Sequence, residues 1–295
     1  SGTAYVPDEL TERWADRDPI SQFEKTLEMR GILSTALRVK IRAQLEQDIL
    51  AEVTQQLDAG LSSSTPTEEL TAVYAPAPKT MPDPGNSGPP TRYVDAITHA
   101  LTIQMERDET TVLMGQDIAE YGGVFKVTNG LKERFGAQRV RNTPIIESGI
   151  VGCALGLALG GAKPMVEIQF ADFISCAFNQ LVHNLAPTHY RWGASVPVVI
   201  RAPFGGGVGA GPFHSQCVES WFSSIPGLKI VAPSNAYDAK GLLLASFNDP
   251  NPVIFLEHKK LYRSQTDAVP TGSYEIELGR GRIVRAGHHL TIVSY

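Results

Sequence analysis

Leu37, Ile41, Leu45, Ile49, Val53 and Leu57 recur every four residues on an otherwise polar stretch. That period places one apolar stripe on a helix, here predicted over about 35–59. Ser34 is placed to cap its start and Gly60 to end it. A shorter helix is predicted over 20–30, opened by Asp18-Pro19 and stopped by Gly31. Such a helical hairpin buries little by itself. Its stripe predicts packing on the larger part of the chain or on a neighbouring copy.

Beyond residue 91 the pattern changes. Val94, Ile97, Leu101 and Met105 define a helix over 92–107. Short apolar runs at 110–114, 165–168, 196–200, 228–231 and 253–256 read as strands. Helices are predicted near 128–135, from Glu147 to about 159, over 173–190 and over 236–247, with a further one at 215–222. Strands alternating with helices of this length predict right-handed βαβ crossovers and a largely parallel sheet covered on both faces. Continuously apolar strands fit that burial. Leu290 to Tyr295 also reads as a strand.

Composition divides the chain. Residues 62–90 hold 7 of the 20 prolines, Pro82 among them, after Ser62-Ser63-Ser64-Thr65. Proline lacks the amide donor and fixes φ, so an extended linker without ladder or long helix is predicted. Leu70, Val73 and Tyr74 are its candidate anchors on a surface. The net charge is 26 − 31 = −5. No basic excess exists to hold a phosphate backbone, so nucleic acid is not an expected partner. The longest nearly apolar run, Ile150 to Ala162, has thirteen residues and four glycines, too short to span a bilayer. No membrane association and a cytoplasmic location are expected. Cys153, Cys176 and Cys217 lack CxxC spacing, which argues against a disulfide framework or structural zinc.

Four segments carry candidate chemistry. In Thr143-Pro144-Ile145-Ile146-Glu147-Ser148-Gly149, a carboxylate lies between a strand end and a glycine-rich helix. It can share a proton in a partly desolvated place, or simply complement the helix dipole. Phe213-His214-Ser215-Gln216 follows the glycine run 205–211, at the kind of strand-to-helix loop where α/β sheets bind ligands. His214 can exchange a proton near neutrality, or merely cap or sit exposed. Cys217 could pair with it as a nucleophile, but no orienting third group is evident. Gly205, Gly207 and Ala210 fit G-x-G-x-x-A, yet Pro212 interrupts the helix start and no acidic residue follows at the required distance, which excludes a dinucleotide fingerprint. Gln169 and Phe173, within Glu167-Ile168-Gln169-Phe170-Ala171-Asp172-Phe173, could meet a flat heterocycle with an amide and a ring. The plainer reading is core packing, with Asp172 as a helix-start residue. Asp249-Pro250-Asn251-Pro252 reads as a turn, with an oxygen-ligated cation as the lesser option.

Taken in order, these segments resemble one family. Ile145-Ile146-Glu147-Ser148-Gly149-Ile150, Glu167 to Phe173, Ile200 to Gly207, His214-Ser215-Gln216, Pro226-Gly227-Leu228-Lys229, Asp238 to Leu243 and Asn251 to Glu257 look like the beta subunit of the thiamine-diphosphate-dependent decarboxylase of 2-oxo acid dehydrogenase complexes. Trp14, Asp18-Pro19-Ile20-Ser21, Leu27 and Gly31 look like the tail of its alpha subunit, as in a fused alpha–beta chain.

The resemblance implies an α/β, transketolase-like pyrimidine-binding domain over 91–274. An alpha-like helical tail over 1–61 and the linker over 62–90 would precede it, and 275–295 would begin a further domain. It implies that Glu147 hydrogen-bonds the aminopyrimidine of thiamine diphosphate, favouring the tautomer that takes the thiazolium proton. Gln169 and Phe173 would contact the pyrimidine, and Ile145 would lie beside the glutamate. His214 would handle the intermediate and the lipoyl acceptor. Asp249 and Asn251 match potassium ligands, although Ser246 and Val199 depart from one common form. Implied partners are the alpha-part diphosphate-binding domain, a lipoyl acyltransferase component within a multienzyme complex, and a further copy of the chain. Magnesium and the diphosphate would be held by a Gly-Asp-Gly motif, and no Gly-Asp-Gly occurs in this sequence. Two other readings stand beside this one: another thiamine enzyme, of transketolase or deoxyxylulose-phosphate synthase type, and a non-catalytic assembly fragment. A chain that opens on Ser1-Gly2-Thr3 and stops at a predicted strand is expected to be a piece of a longer one.

Overall fold

A computed structural model describes residues 5–61, 63–78, 84–85 and 87–295. Ser1-Gly2-Thr3, Ser62 and Pro82 lie outside these. The chain divides into two units, Ser1–Thr65 and Pro66–Tyr295.

The first unit is helical: α1 (Asp8–Ala15), α2 (Pro19–Met29) and α3 (Thr35–Ala59). Asp18 accepts the Ser21 amide at 2.7 Å, and Ser34 accepts that of Leu37 at 3.1 Å, so both predicted caps form. Gly31 and Gly60 end their helices with φ of 68° and 74°, the left-handed region that favours glycine. Arg38 meets Glu28 at 3.0 Å and Arg42 meets Glu24 at 2.8 Å, tying α3 to α2. Within this unit the apolar stripe of α3 is left uncovered.

The second unit begins with α4 (Pro66–Ala72), then β1 (Pro90–Arg92) and α5 (Tyr93–Arg107). The proline-rich segment therefore does form a short helix, with Pro66 at its first position, where no amide donor is needed. It also ends in a ladder, since β1 pairs antiparallel with β8 (Thr266–Ala268). Tyr74 anchors the segment through its hydroxyl to the Leu228 carbonyl, at 3.2 Å, and the neighbouring Ala75 is buried. Leu70 is exposed and anchors nothing.

A six-stranded sheet follows, with all its pairings parallel. Its strands are β2 (Thr111–Gly115), β3 (Val140–Asn142), β4 (Lys163–Glu167), β5 (Val199–Phe204), β6 (Lys229–Val231) and β7 (Val253–His258), in the order β3-β2-β4-β5-β7-β6. Alternate side chains feed opposite cores. Leu113, Met165, Val199, Val253 and Phe255 join α5 and α9 (Ala236–Asn248). Met114, Val166, Ile200, Ile254 and Leu256 join α7 (Glu147–Leu159) and the segment after β4. Both faces are covered, as the apolar strands require. Short helices α6 (Leu131–Phe135), α8 (Thr188–Trp192) and α10 (Leu261–Ser264) complete the unit. No helix among the described residues is long and apolar enough to cross a membrane.

Three predicted elements differ from what forms. Residues 173–190 are not one helix but a 3-10 turn at Ala171–Ala177, a π-helical turn at Gln180–Leu185, and α8. Pro187 bars a continuous helix there. Residues 215–222 hold only a 3-10 turn, at Glu219–Trp221. Leu290 to Tyr295 is irregular, with no neighbouring strand to accept its ladder.

Lys240 of α9 is wholly buried, and its ammonium donates to the carbonyls of Pro270 (2.5 Å) and Gly272 (2.8 Å). It also meets His99 Nδ1 at 3.2 Å. Burial pushes the Lys240 amine down to about 8. Burial, then the Lys240 charge, lowers the His99 imidazole below its ordinary value. In both cases the unfolded chain binds the proton more readily. Stability should therefore fall as pH drops below about 6.5, where unfolded histidine protonates, and should rise with pH between about 8 and 10, where only unfolded lysine stays charged. Urea midpoints across pH 5.5–10 should show both limbs, and His99→Gln should flatten the acid one.

Candidate functional site

The sheet order sets where a ligand can enter. β2 sends the chain outward to β3, whereas β4 sends it the opposite way to β5. The connections diverge above the carboxyl ends of β2 and β4, and such a crevice is where open α/β sheets bind ligands. At that level Gly115 lies against β4, where an added Cβ would stand 2.8 Å from the Glu167 carbonyl oxygen.

Glu147 opens α7 immediately after β3, on this same edge. It is half-buried, and Gln116, just past β2, donates its amide Nε2–H to Glu147 Oε1 at 3.2 Å. Gln169 lies two residues past β4 and is half-buried. The rings of Phe170 and Phe173 stand edge-on to each other at 6.1 Å. His214 meets both edge-on, at 4.7 Å from Phe170 and 5.4 Å from Phe173. Two of the predicted site residues, Phe173 and His214, are thus in contact. Glu147 and Gln169 share their sheet edge. Ile145 is 82% exposed and touches none of them closely enough to be covered.

Asp249 and Asn251 lie elsewhere, at the amino end of β7 on the opposite edge of the sheet. Asp249 Oδ2 accepts the Lys229 ammonium at 2.5 Å, and its Oδ1 accepts the Asn251 amide at 2.8 Å. Asn251 exchanges two hydrogen bonds with the Ala75 backbone, at 2.7 and 3.0 Å. The pair forms a clasp over the proline-rich segment with Lys229 as its cation.

The glycine run forms a loop rather than a helix start. At Gly205, φ is 77° and an added Cβ would lie 2.3 Å from the His258 ring. That positive φ favours glycine, and any larger residue would also have to displace the His258 ring. Burial and then Glu219 push the Cys217 thiol pKa up, which disfavours the thiolate that a nucleophilic role needs.

Beneath the edge lies a charged group not anticipated from the sequence. Arg201, fully buried, donates to Glu257 through two bonds of 2.6 Å and to Glu167 at 2.7 Å. Tyr262 donates its hydroxyl to Glu257 at 2.6 Å. Burial opposes the Arg201 charge, but Glu257 and Glu167 outweigh it and hold the guanidinium protonated. Burial raises the Glu167 carboxyl, against the pull of Arg201. A ring series links this group to the histidine: Tyr262 to Phe125 at 4.9 Å, Phe125 to Phe170 at 5.7 Å, then His214. The available signal was that Glu167, Arg201 and Glu257 all occur near the carboxyl ends of apolar strands. Gln116 carried no comparable signal.

A half-buried carboxylate held by an amide, a second amide and paired rings suit a flat, hydrogen-bonding heterocycle. The fold and this edge define a ligand-binding domain of the doubly wound α/β class. The family profile described as "Transketolase, pyrimidine binding domain" matches residues 90–265, and the chain belongs to that family. The chain is 47% identical over 207 residues to the 2-oxoisovalerate dehydrogenase subunit beta of Bacillus subtilis (strain 168), covering 69% of this chain and 63% of the relative. It is 48% identical over 204 residues to the pyruvate dehydrogenase E1 component subunit beta of Acholeplasma laidlawii, covering 68% and 62%. The chain therefore spans less than two thirds of these relatives. A solved structure titled "Split gene transketolase, inactive beta4 tetramer" superposes with a TM-score of 0.52 at 20% identity, over 65% of this chain and 58% of that one, which supports the fold alone.

Arg201→Met should destabilise the protein by about 3–5 kcal/mol, because two carboxylates would remain buried without their cation. Urea denaturation checks this. Adding Glu167→Gln and Glu257→Gln to the same chain should recover part of the loss.

Proposed function

We propose that this chain supplies the aminopyrimidine half of a thiamine diphosphate site in the decarboxylase component of a 2-oxo acid dehydrogenase, acting on pyruvate or a branched-chain 2-oxo acid. The observation that carries the reading is Glu147, held by Gln116 at the carboxyl edge of the sheet. The likeness to both kinds of dehydrogenase beta subunit supports the reaction class.

In this reading, Glu147 binds the edge of the pyrimidine ring and shares a proton with it. Gln116 keeps the carboxylate oriented, and its neutral amide adds no second negative charge. Phe173 packs against the flat ring, and Gln169 adds an amide contact at its edge. Ile145, now exposed, would be covered beside the glutamate. The cofactor supplies a thiazolium that accepts the electrons released as carbon dioxide leaves. His214, backed by two rings, is positioned to exchange a proton as the acyl group passes to a lipoyl acceptor. Residues 1–61 would be an alpha-subunit tail, 62–90 a linker, and 275–295 the entry to a further domain. Diphosphate and magnesium would be held by the alpha part, and a second copy of the chain would complete an oligomer. A potassium ion is not part of the reading, because the oxygens of Asp249 and Asn251 already have protein donors.

Two measurements test this. With thiamine diphosphate and magnesium, the chain alone should turn over neither pyruvate nor 3-methyl-2-oxobutanoate. In the assembly that includes the diphosphate half, Glu147→Gln should slow thiazolium proton exchange in deuterated water by about 10²–10⁴-fold. Its urea midpoint should stay near that of the parent. Exchange at the parental rate would reduce Glu147 to a helix-start residue.

A further inference from the structure

The loop from Gly205 to Gln216 has little rigidity of its own. Gly205, Gly207, Gly209 and Gly211 all take positive φ. Such a segment has many accessible conformations. The place of His214 must therefore be imposed from outside the loop.

The turn after β4 supplies both constraints. Phe170 and Phe173 form the slot that receives the imidazole edge-on. Asp172, between them in sequence, does not cap its own turn. Its Oδ1 instead accepts the backbone N–H groups of Ser215 and Gln216, each at 3.1 Å, from 43 and 44 residues away. These are the two residues immediately after His214. The Gln216 carbonyl in turn accepts the Gly205 amide at 3.0 Å, closing the base of the loop. Hydrogen bonds to an ionised acceptor are among the stronger ones.

Asp172 is only 6% exposed, and a charged group so placed calls for a partner. Its Oδ2 is buried and has no hydrogen-bond partner among the described residues. Lys259, just past β7, is in the same condition: 4% exposed, its ammonium without a hydrogen bond among the described residues. That ammonium stands 5.4 Å from the centre of the Phe170 ring, so it flanks the same slot. Burial lowers the hold of Lys259 on its proton, and the Asp172 charge opposes that loss. Attraction between buried charges persists beyond direct contact, since little solvent screens it.

We propose that Asp172 is the positioning residue for His214 and that Lys259 is the buried counter-charge to its carboxylate. The role of His214 rests on the function proposed above, whereas the anchoring of its loop does not. The test uses the full chain, with residue-resolved amide exchange at Ser215 and Gln216 and the His214 ring-proton resonances, which Phe170 and Phe173 displace. In Asp172→Leu, both amides should exchange at least about tenfold faster and the His214 resonances should move to solvent-exposed positions. Asp172→Asn keeps an acceptor oxygen and should retain most of the protection. Lys259→Met alone should loosen both amides, and Asp172→Asn combined with Lys259→Met should restore them, because the pair is then neutral. A purely structural lysine would give no such restoration. Parental exchange in Asp172→Leu would overturn the anchor; should that variant not fold, parental exchange in Lys259→Met would overturn the charge pairing. Separately, an assembly in which His214→Ala leaves lipoyl acylation unchanged would remove the function assigned to His214 while the exchange results stand.

Discussion

One buried guanidinium organises the working edge of the sheet. Arg201, in the middle of β5, draws Glu167 at the end of β4 and Glu257 near the end of β7 to itself, so three adjacent strands are joined. Every segment that carries candidate chemistry beyond Glu147 leaves from these residues. Gln169 and the paired rings follow Glu167, the glycine loop follows β5, and His258 and Lys259 follow Glu257. Displacing one strand by a residue would bury a charge without its partner, at a cost several times that of a lost surface pair. An apolar trio of similar volume could match the stability, but it would not penalise the wrong register in the same way. We attribute the placement of the edge to this specificity.

The same group explains how the loops sit close without clashing. Gly123 passes so near Glu167 that an added Cβ would stand 2.8 Å from its carboxylate oxygen. Phe125, two residues on, reaches Tyr262, whose hydroxyl completes the Glu257 carboxylate. Charge satisfaction below and ring packing above are thus one continuous structure, ending at His214.

Much of this was legible in the sequence, and the rest was hidden for identifiable reasons. Periodicity and caps located α2, α3, α5, α7 and α9, because those signals are local: Ser34 and Leu37 are three residues apart, and Asp18 and Ser21 likewise. The successive turns at 171–192 differ from the single helix predicted there because apolar spacing alone does not distinguish α, 3-10 and π turns. β3 escaped notice since only Val140 of its three residues is apolar and buried. Glu147, Gln169, Phe173 and His214 could be named as candidates, but their neighbours could not. Gln116 meets Glu147 across 31 residues, Asp172 meets Gln216 across 44, and Arg201 meets Glu257 across 56. Such pairings are set by strand order, which no local pattern encodes. Asp172 looked like a helix cap for the same reason: its acceptors' true donors lie in another segment.

The two edges of the sheet divide the work in a way that bears on the proposed half-site. At the amino edge, Asp249 and Asn251 have all their polar groups engaged, by Lys229 and by Ala75, and so hold the proline-rich segment in place. At the carboxyl edge, polar groups are left only partly engaged: Glu147 has a hydrogen bond to one oxygen, and Asp172, His214 and Lys259 each keep a buried atom without a partner among the described residues. Fully satisfied polar groups stabilise a fold, whereas unsatisfied ones cost free energy unless something else meets them. Natural folds concentrate such cost at functional sites. The asymmetry supports placing chemistry at one edge and the anchoring of the chain's own proline-rich segment at the other. It also fits a division in which another domain binds the charged diphosphate. This one then has no need of a phosphate cradle, and its few polar groups can be spent on orienting a ring and moving a proton.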